Sequence, residues 1–152
     1  MIGELTASEI DQLLRSETVG RLGCSTDGRV YIVPVTYVFE EGCVYGHSGI
    51  GRKIQMMRGN PHVCFEIDRV ISQSNWQSVI AWGLYEELQG HEALAGLERL
   101  LVRLGPVIVG SAGLPTEGLS APLVNLAHHI LQHGVVYRIR LTERTGRFER
   151  VM

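Results

Sequence analysis

The residues best suited to chemistry in this chain stand together in the run Tyr45-Gly-His-Ser-Gly-Ile-Gly-Arg-Lys, residues 45–53. Val44 and Tyr45 favour a strand, the three glycines between Gly46 and Gly51 favour a turn, and Ile54 and Met57 then repeat at a helical spacing that Gly59-Asn60-Pro61 ends. Arg52 and Lys53 therefore fall in the first turn of a short helix, where the macrodipole is positive and each cation costs about 0.3–1 kcal/mol instead of helping. A bound anion would reverse that sign. A phosphate suits the place, because free backbone N–H groups, two cations and the Ser48 hydroxyl converge there. The same residues also read as a solvated Arg-Lys pair on a surface helix, and type and spacing alone leave both readings open.

Other chemistry-bearing residues carry less. Glu66 and Asp68 share one side of an alternating segment, His62 to Asp68, and read either as an acid–base pair or as the solvent side of a strand. His129 and His133 have a metal-ligand spacing with no carboxylate nearby, so with His128 they read as a polar helix face. Cys24, Cys43 and Cys64 are odd in number and widely spaced within predicted strands, which makes them buried thiols and not a disulfide framework. No nucleophile triad, Walker loop or Rossmann glycine pattern occurs. Fourteen basic against sixteen acidic side chains give a net charge of −2, which argues against a nucleic-acid or polybasic membrane surface and leaves any anion to be bound locally. No apolar run approaches the ~20 residues that span a bilayer. The N-terminus lacks a basic segment followed by an apolar one, so the expectation is a cytoplasmic protein, one domain over residues 1–152.

The elements that must position these residues are mostly strands. Thr6 and Glu9 form a capping-box pattern ahead of Ile10, Leu13 and Leu14, giving a short amphipathic helix. Gly20 to Ser25, a turn at Asp27-Gly28 and the long β-rich run Arg29 to Glu40 predict a hairpin. Both faces are apolar around Ile32 to Val35, so one side faces a core and the other needs a cover, a planar ligand or a second subunit. Pro34 cannot donate to a ladder and implies an edge, a bulge or a ligand lying against the backbone. Glu41-Gly42 turns into a strand over Cys43 to His47; after the central helix come strands at His62 to Asp68 and Trp76 to Leu88, separated by a loop from Ser72 to Asn75. Gly83 predicts a bulge or barrel corner. A helix over Glu92 to Leu104 places Leu94, Leu97, Leu101 and Leu104 on one face, a second helix begins at Pro122 and ends at Gly134, and Val135 to Leu141 is a last strand. Gly105 to Pro122 reads as an inserted loop.

The run from Tyr45 to Lys53, followed by Asn60-Pro61 and a β-rich segment, resembles the flavin mononucleotide phosphate motif of the pyridoxamine 5′-phosphate oxidase-like split-barrel family, in the branch of nitroimidazole-resistance reductase-like proteins. The likeness spans about Gly20 to Leu88 and returns near Val136 to Arg147. It implies a mainly β (α+β) fold, a split antiparallel β-barrel of Greek-key order with peripheral helices, assembled as a homodimer with two FMN molecules at the interface. It implies that Ser48, Arg52 and Lys53 hold the phosphate, that Val33, Pro34, Val35 and Thr36 run beside the ring and ribityl chain, that His47 contacts cofactor or substrate, and that Ser78 approaches the flavin of the other subunit. Gly46 stands where the parent oxidases carry a bulkier residue, which would leave room for a substrate. The implied activity is electron transfer from NADH or NADPH through FMN to a small electrophile such as a nitro compound or quinone. A non-enzymatic flavin- or haem-binding protein and a deazaflavin-dependent reductase are the alternatives.

Overall fold

The computed structural model describes residues 1–105 and 129–151. Eight strands form one sheet: β1 (Ile2–Glu4), β2 (Val19–Thr26), β3 (Arg29–Thr36), β4 (Val38–Glu40), β5 (Cys43–Ser48), β6 (His62–Ser72), β7 (Asn75–Glu87) and β8 (Val135–Glu149). Three helices, α1 (Ala7–Ser16), α2 (Arg52–Gly59) and α3 (Gly90–Leu104), lie between them. The sheet order is β3-β2-β6-β7-β8-β5-β4, antiparallel throughout, with β1 added on β8. Strands β6, β7 and β8 are neighbours and β5 returns beside β8, a Greek-key order. The sheet curls until β3 approaches β5 without pairing to it, which is the split of the barrel.

Local chemistry explains most boundaries. Thr6 caps α1 through a complete capping box, its side chain accepting from Glu9 N–H while the Glu9 carboxylate accepts from Thr6 N–H, each at 3.2 Å. Positive φ at Asp27 and Gly28, and again at Glu41 and Gly42, closes two tight hairpins. At Gly83 the register of β7 on β8 shifts, and a Cβ there would meet Arg140 O at 2.4 Å; the predicted bulge exists because only glycine permits that approach.

Several expectations need correction. The run Arg29 to Glu40 is not one strand, because it breaks at Tyr37 and its halves join opposite ends of the sheet order. The Tyr37 ring is fully buried edge-on to Phe65, and its hydroxyl donates to Leu14 O at 2.7 Å, which anchors the break against α1. The loop at Ser72 to Asn75 is a two-residue turn, since those two residues pair. Strand β1 has no counterpart in the sequence reading, and β8 continues eight residues past Leu141 to Glu149. On α3 the buried face is Ala93, Gly96, Leu97, Leu100 and Leu104, while Leu94 is 45% exposed. Small residues face the sheet there because the helix comes close: a Cβ on Gly96 would meet Leu88 and Val136 side chains at 3.1 Å and Tyr45 at 3.3 Å. The helix expected from Pro122 and the loop from Gly105 lie outside the described residues, apart from Gly105 itself and a helical turn at 129–133.

The main core fills the barrel with residues from α1, α2 and the strands, Leu14, Leu22, Ile54, Met57, Phe65, Ile67 and Tyr137 among its fully buried members. A second apolar cluster seats α3 on β5 and β8.

Candidate functional site

Strand β5 runs into the turn Gly49-Ile50-Gly51 and then into α2, so His47, Ser48, Arg52 and Lys53 gather at one end of the barrel. The helix starts on Gly51, which has no side chain with which to cap it, and no acidic residue occupies the first turn. The N–H groups of Arg52, Lys53 and Ile54 are thus without an intrahelical acceptor, and Gln55 N–H is the first to bond back, to Gly51 O at 3.1 Å. Ile54, Met56 and Met57 are buried and fix the helix on the core.

Neither Arg52 nor Lys53 forms an ion pair among the described residues. The Arg52 guanidinium is exposed and lies 5.8 Å from the centre of the Tyr31 ring. Lys53 is half-buried beside Cys24; burial pushes its ammonium below the ordinary lysine range, and the Cys24 thiol opposes this by a smaller amount. Burial likewise pushes the Cys24 thiol up, against the opposing charge of Lys53. Two cations at a positive helix end, one of them drawn out of water and neither matched by a carboxylate, make a site short of negative charge.

His47 lies half-buried within the field of Lys53. Burial holds its imidazole below the usual histidine range, with a hydrogen bond to the Ile130 backbone working against this and Lys53 reinforcing it. Nε2 is buried without a hydrogen-bond partner among the described residues, and a Cβ on Gly134 would stand 3.0 Å from it. A neutral ring that spends one nitrogen on Ile130 presents the other as an unmet polar position beside Lys53. Ser48 is buried and its hydroxyl donates to Gly49 O at 2.7 Å, so its proton is engaged locally and not directed at the helix end. The room expected at Gly46 is taken: a Cβ there would meet the fully buried Tyr137 ring at 2.4 Å, so the glycine serves core packing and not a substrate.

Val33, Pro34, Val35 and Thr36 occupy β3, the end strand of the sheet order. Pro34 stands opposite Arg21, and Tyr37 N–H bonds Thr18 O at 2.9 Å. Antiparallel pairs alternate, so the odd-numbered residues of β3 bond to β2 while Ile32, Pro34 and Thr36 turn their backbone groups to the unpaired edge. That edge offers N–H and C=O at Ile32 and Thr36 but only C=O at Pro34, which is why proline is tolerated. Side chains follow a separate alternation: Val33 packs on the core and Val35 is buried in it, whereas Val30 and Ile32 are exposed on the outer face.

Ser78 is not brought to this group. It pairs with Asp68 and Arg147, on the outer face of β7. Its face instead belongs to a broad apolar surface on which Val30, Ile32, Ile80 and Trp82 are exposed around a cavity of 670 Å³. Sequence reasoning expected an apolar outer face at Ile32 that needs a cover, but missed its continuation onto Ile80 of β7. Among the described residues no group of His, Cys, Asp or Glu is arranged to hold a metal; the rings of His129 and His133 lie 4.6 Å apart, tilted by 51°, with no further ligand. No described helix is long and apolar enough to cross a membrane.

Comparison with known proteins adds four findings. A family model described as pyridoxamine 5′-phosphate oxidase matches residues 6–148. An uncharacterised protein of Rhizobium meliloti (strain 1021) is 36% identical over 84 residues, which are 55% of this chain and 56% of that one, so the match spans about half of that relative. The crystal structure of a protein of Mesorhizobium loti, described as FAD-binding, is 28% identical with a TM-score of 0.70 and covers 97% of this chain and 98% of its own. A Bacteroides thetaiotaomicron protein provisionally described as a 5-nitroimidazole antibiotic resistance protein shares the fold, at 18% identity and a TM-score of 0.72, over 97% of this chain and 87% of its own.

Proposed function

The chain belongs to the pyridoxamine 5′-phosphate oxidase family, and from that premise we propose that it is a homodimeric FMN-binding oxidoreductase. Electrons would come from NADH or NADPH and leave to a small electrophile such as a nitro compound or quinone. The observation that carries the reading is the unmatched pair Arg52 and Lys53 on the uncapped start of α2, next to the unpaired edge of β3. A nucleotide with a phosphate at one end and a polar ring edge at the other fits both. Arg52, Lys53 and the free N–H groups hold the phosphate. The edge of β3 offers a donor and acceptor at Ile32 and Thr36, and an acceptor alone at Pro34, to the ring.

Bound flavin supplies the hydride chemistry, which accords with a site that contains no committed nucleophile. The protein's part is to bind, to orient and to exclude water. The apolar outer face around Ile32 and Trp82 supports a second copy as its cover, and Ser78, remote from its own α2 yet on that face, would then serve the partner's cofactor. The three cysteines are free, which accords with a reducing, cytoplasmic setting.

FAD is the second reading, favoured by the Mesorhizobium loti relative. Its pyrophosphate would use the same two cations. Haem is disfavoured because Nε2 of His47 is buried and Gly134 packs close to it. Mass spectrometry of the cofactor released from the purified protein separates FMN, FAD, deazaflavin and haem in one measurement. Anaerobic addition of NADH or NADPH should then bleach the bound flavin; no bleaching with either nicotinamide would remove the proposed electron donor.

A further inference from the structure

Both cations at the start of α2 rest on one register pair of the β2–β3 hairpin. Cys24 of β2 stands opposite Tyr31 of β3, and the Cys24 thiol donates to Tyr31 O at 3.7 Å. Lys53 lies beside Cys24, and the Arg52 guanidinium lies 5.8 Å from the centre of the Tyr31 ring. Helix α2 is tied to the same hairpin at its other end: Asn60 Nδ2 donates to Ser25 O at 3.0 Å, and a Cβ on Gly59 would stand 3.5 Å from Thr26 Cγ2. The two cations are not held alike. Lys53 is half-buried, whereas Arg52 is exposed, has no carboxylate partner among the described residues and shares its helical turn with no acidic residue. A long side chain at a helix end that repels it samples many rotamers unless something holds it. Tyr31 can do so, because its side chain shares the alternation of Val33 and packs against the core, which fixes the ring on which the guanidinium settles.

Resting on the phosphate reading above, we infer that Tyr31 is a positioning residue of that site: its ring holds the Arg52 guanidinium in place for a phosphate before the ligand arrives. A cation over an aromatic face is drawn to the ring quadrupole, and a planar guanidinium also stacks on it. The contact therefore limits the rotamers that binding would otherwise have to freeze. Immobilising a side chain of that length on binding costs a factor of about two to ten in affinity, and the ring removes this cost in advance. Tyr31 needs no contact with the flavin to do this. The attraction comes from the ring face and not from the phenol oxygen, so phenylalanine should serve as well and an aliphatic residue should not. The gain belongs to the phosphate end alone, and a flavin without a phosphate should not feel it.

The test is a fluorescence titration of the whole chain, freed of flavin, with FMN and with riboflavin, which has the same ring and no phosphate. Tyr31→Leu should bind FMN about two- to tenfold more weakly and riboflavin as the wild type does, while Tyr31→Phe should match the wild type with both. In an Arg52→Gln background Tyr31→Leu should change the FMN affinity no further, because the group it positions is gone. A variant that had merely lost its fold would weaken both ligands, and would do so in either background. Equal weakening of riboflavin and FMN, an effect of Tyr31→Leu that persists without Arg52, or an FMN affinity that Tyr31→Leu leaves unchanged each overturns the positioning role while the phosphate site stands. An Arg52→Gln variant that binds FMN like the wild type overturns the phosphate site itself, and the inference with it.

Discussion

The pair Arg52 and Lys53 makes a prediction with two signs that a merely solvated pair would not share. Replace them by Gln and Met, which keeps the aliphatic stems and removes the charges. In the apoprotein each cation opposes the α2 dipole at a cost of about 0.3–1 kcal/mol. The double variant should therefore be more stable than the wild type, and at about 2–4 °C per kcal/mol for a chain of this size its melting temperature should rise by about 1–8 °C. With the phosphate bound the sign reverses. A unit-charge pair at 4 Å is worth about 4 kcal/mol at an effective dielectric of 20. After the competing hydration of both groups, a charge-assisted hydrogen bond retains about 1.5–3 kcal/mol. Each substitution should then weaken FMN about 10- to 100-fold. Lys53→Met should fall at the upper end, because Lys53 is half-buried whereas Arg52 is exposed. The two sit on one ligand, so their effects should not add fully. Quenching of FMN fluorescence by titrated apoprotein gives the affinity, and a thermal melt of the same sample gives the stability. An affinity within twofold of the wild type, or an apoprotein that melts lower, would refute the phosphate site.

Gly46→Ala drives a methyl into the buried Tyr137 ring and should cost about 1–3 kcal/mol, seen in urea unfolding, and Tyr137→Leu in the same chain should recover part of the loss. Thr6→Ala removes the capping box of α1 and should cost about 1 kcal/mol in the same assay without changing flavin affinity. Glu66 titrates at about 7 in the folded chain against an ordinary 4.5, so the fold favours its protonated form: that preference is intact below 4.5 and is lost as the pH rises through 7. Glu66→Gln should accordingly be neutral near pH 4 and, since the carboxyl keeps part of its water, stabilising by up to about 1 kcal/mol above pH 8, as read from urea midpoints across pH.

How far the sequence reveals this protein depends on the range over which each determinant acts. The α1 capping box, the hairpin at Asp27-Gly28, the start of α2 on Gly51 and the bulge at Gly83 are set by a few adjacent residues, and all were legible. The buried face of α3 was legible only in part: Leu97 and Leu104 lie on it as expected, but Leu94 does not, because a helix pressed closely onto a sheet needs Ala93 and Gly96 there. The same limit governs Gly46, whose missing side chain suggests space until Tyr137, ninety-one residues later, is seen to fill it. Strand order is the most distant determinant. Nothing between Arg29 and Glu40 says that Tyr37 divides the run between opposite ends of the sheet, yet that division leaves β3 with an unpaired edge. The proposed site would therefore join a phosphate end written in nine consecutive residues to a ring end set by how the whole sheet is ordered. The first can be transplanted by motif, while the second follows from the topology. A chain with the same Gly-Arg-Lys turn but a paired β3 would keep the anion site and lose the backbone edge, and so would bind phosphate without discriminating the ring attached to it.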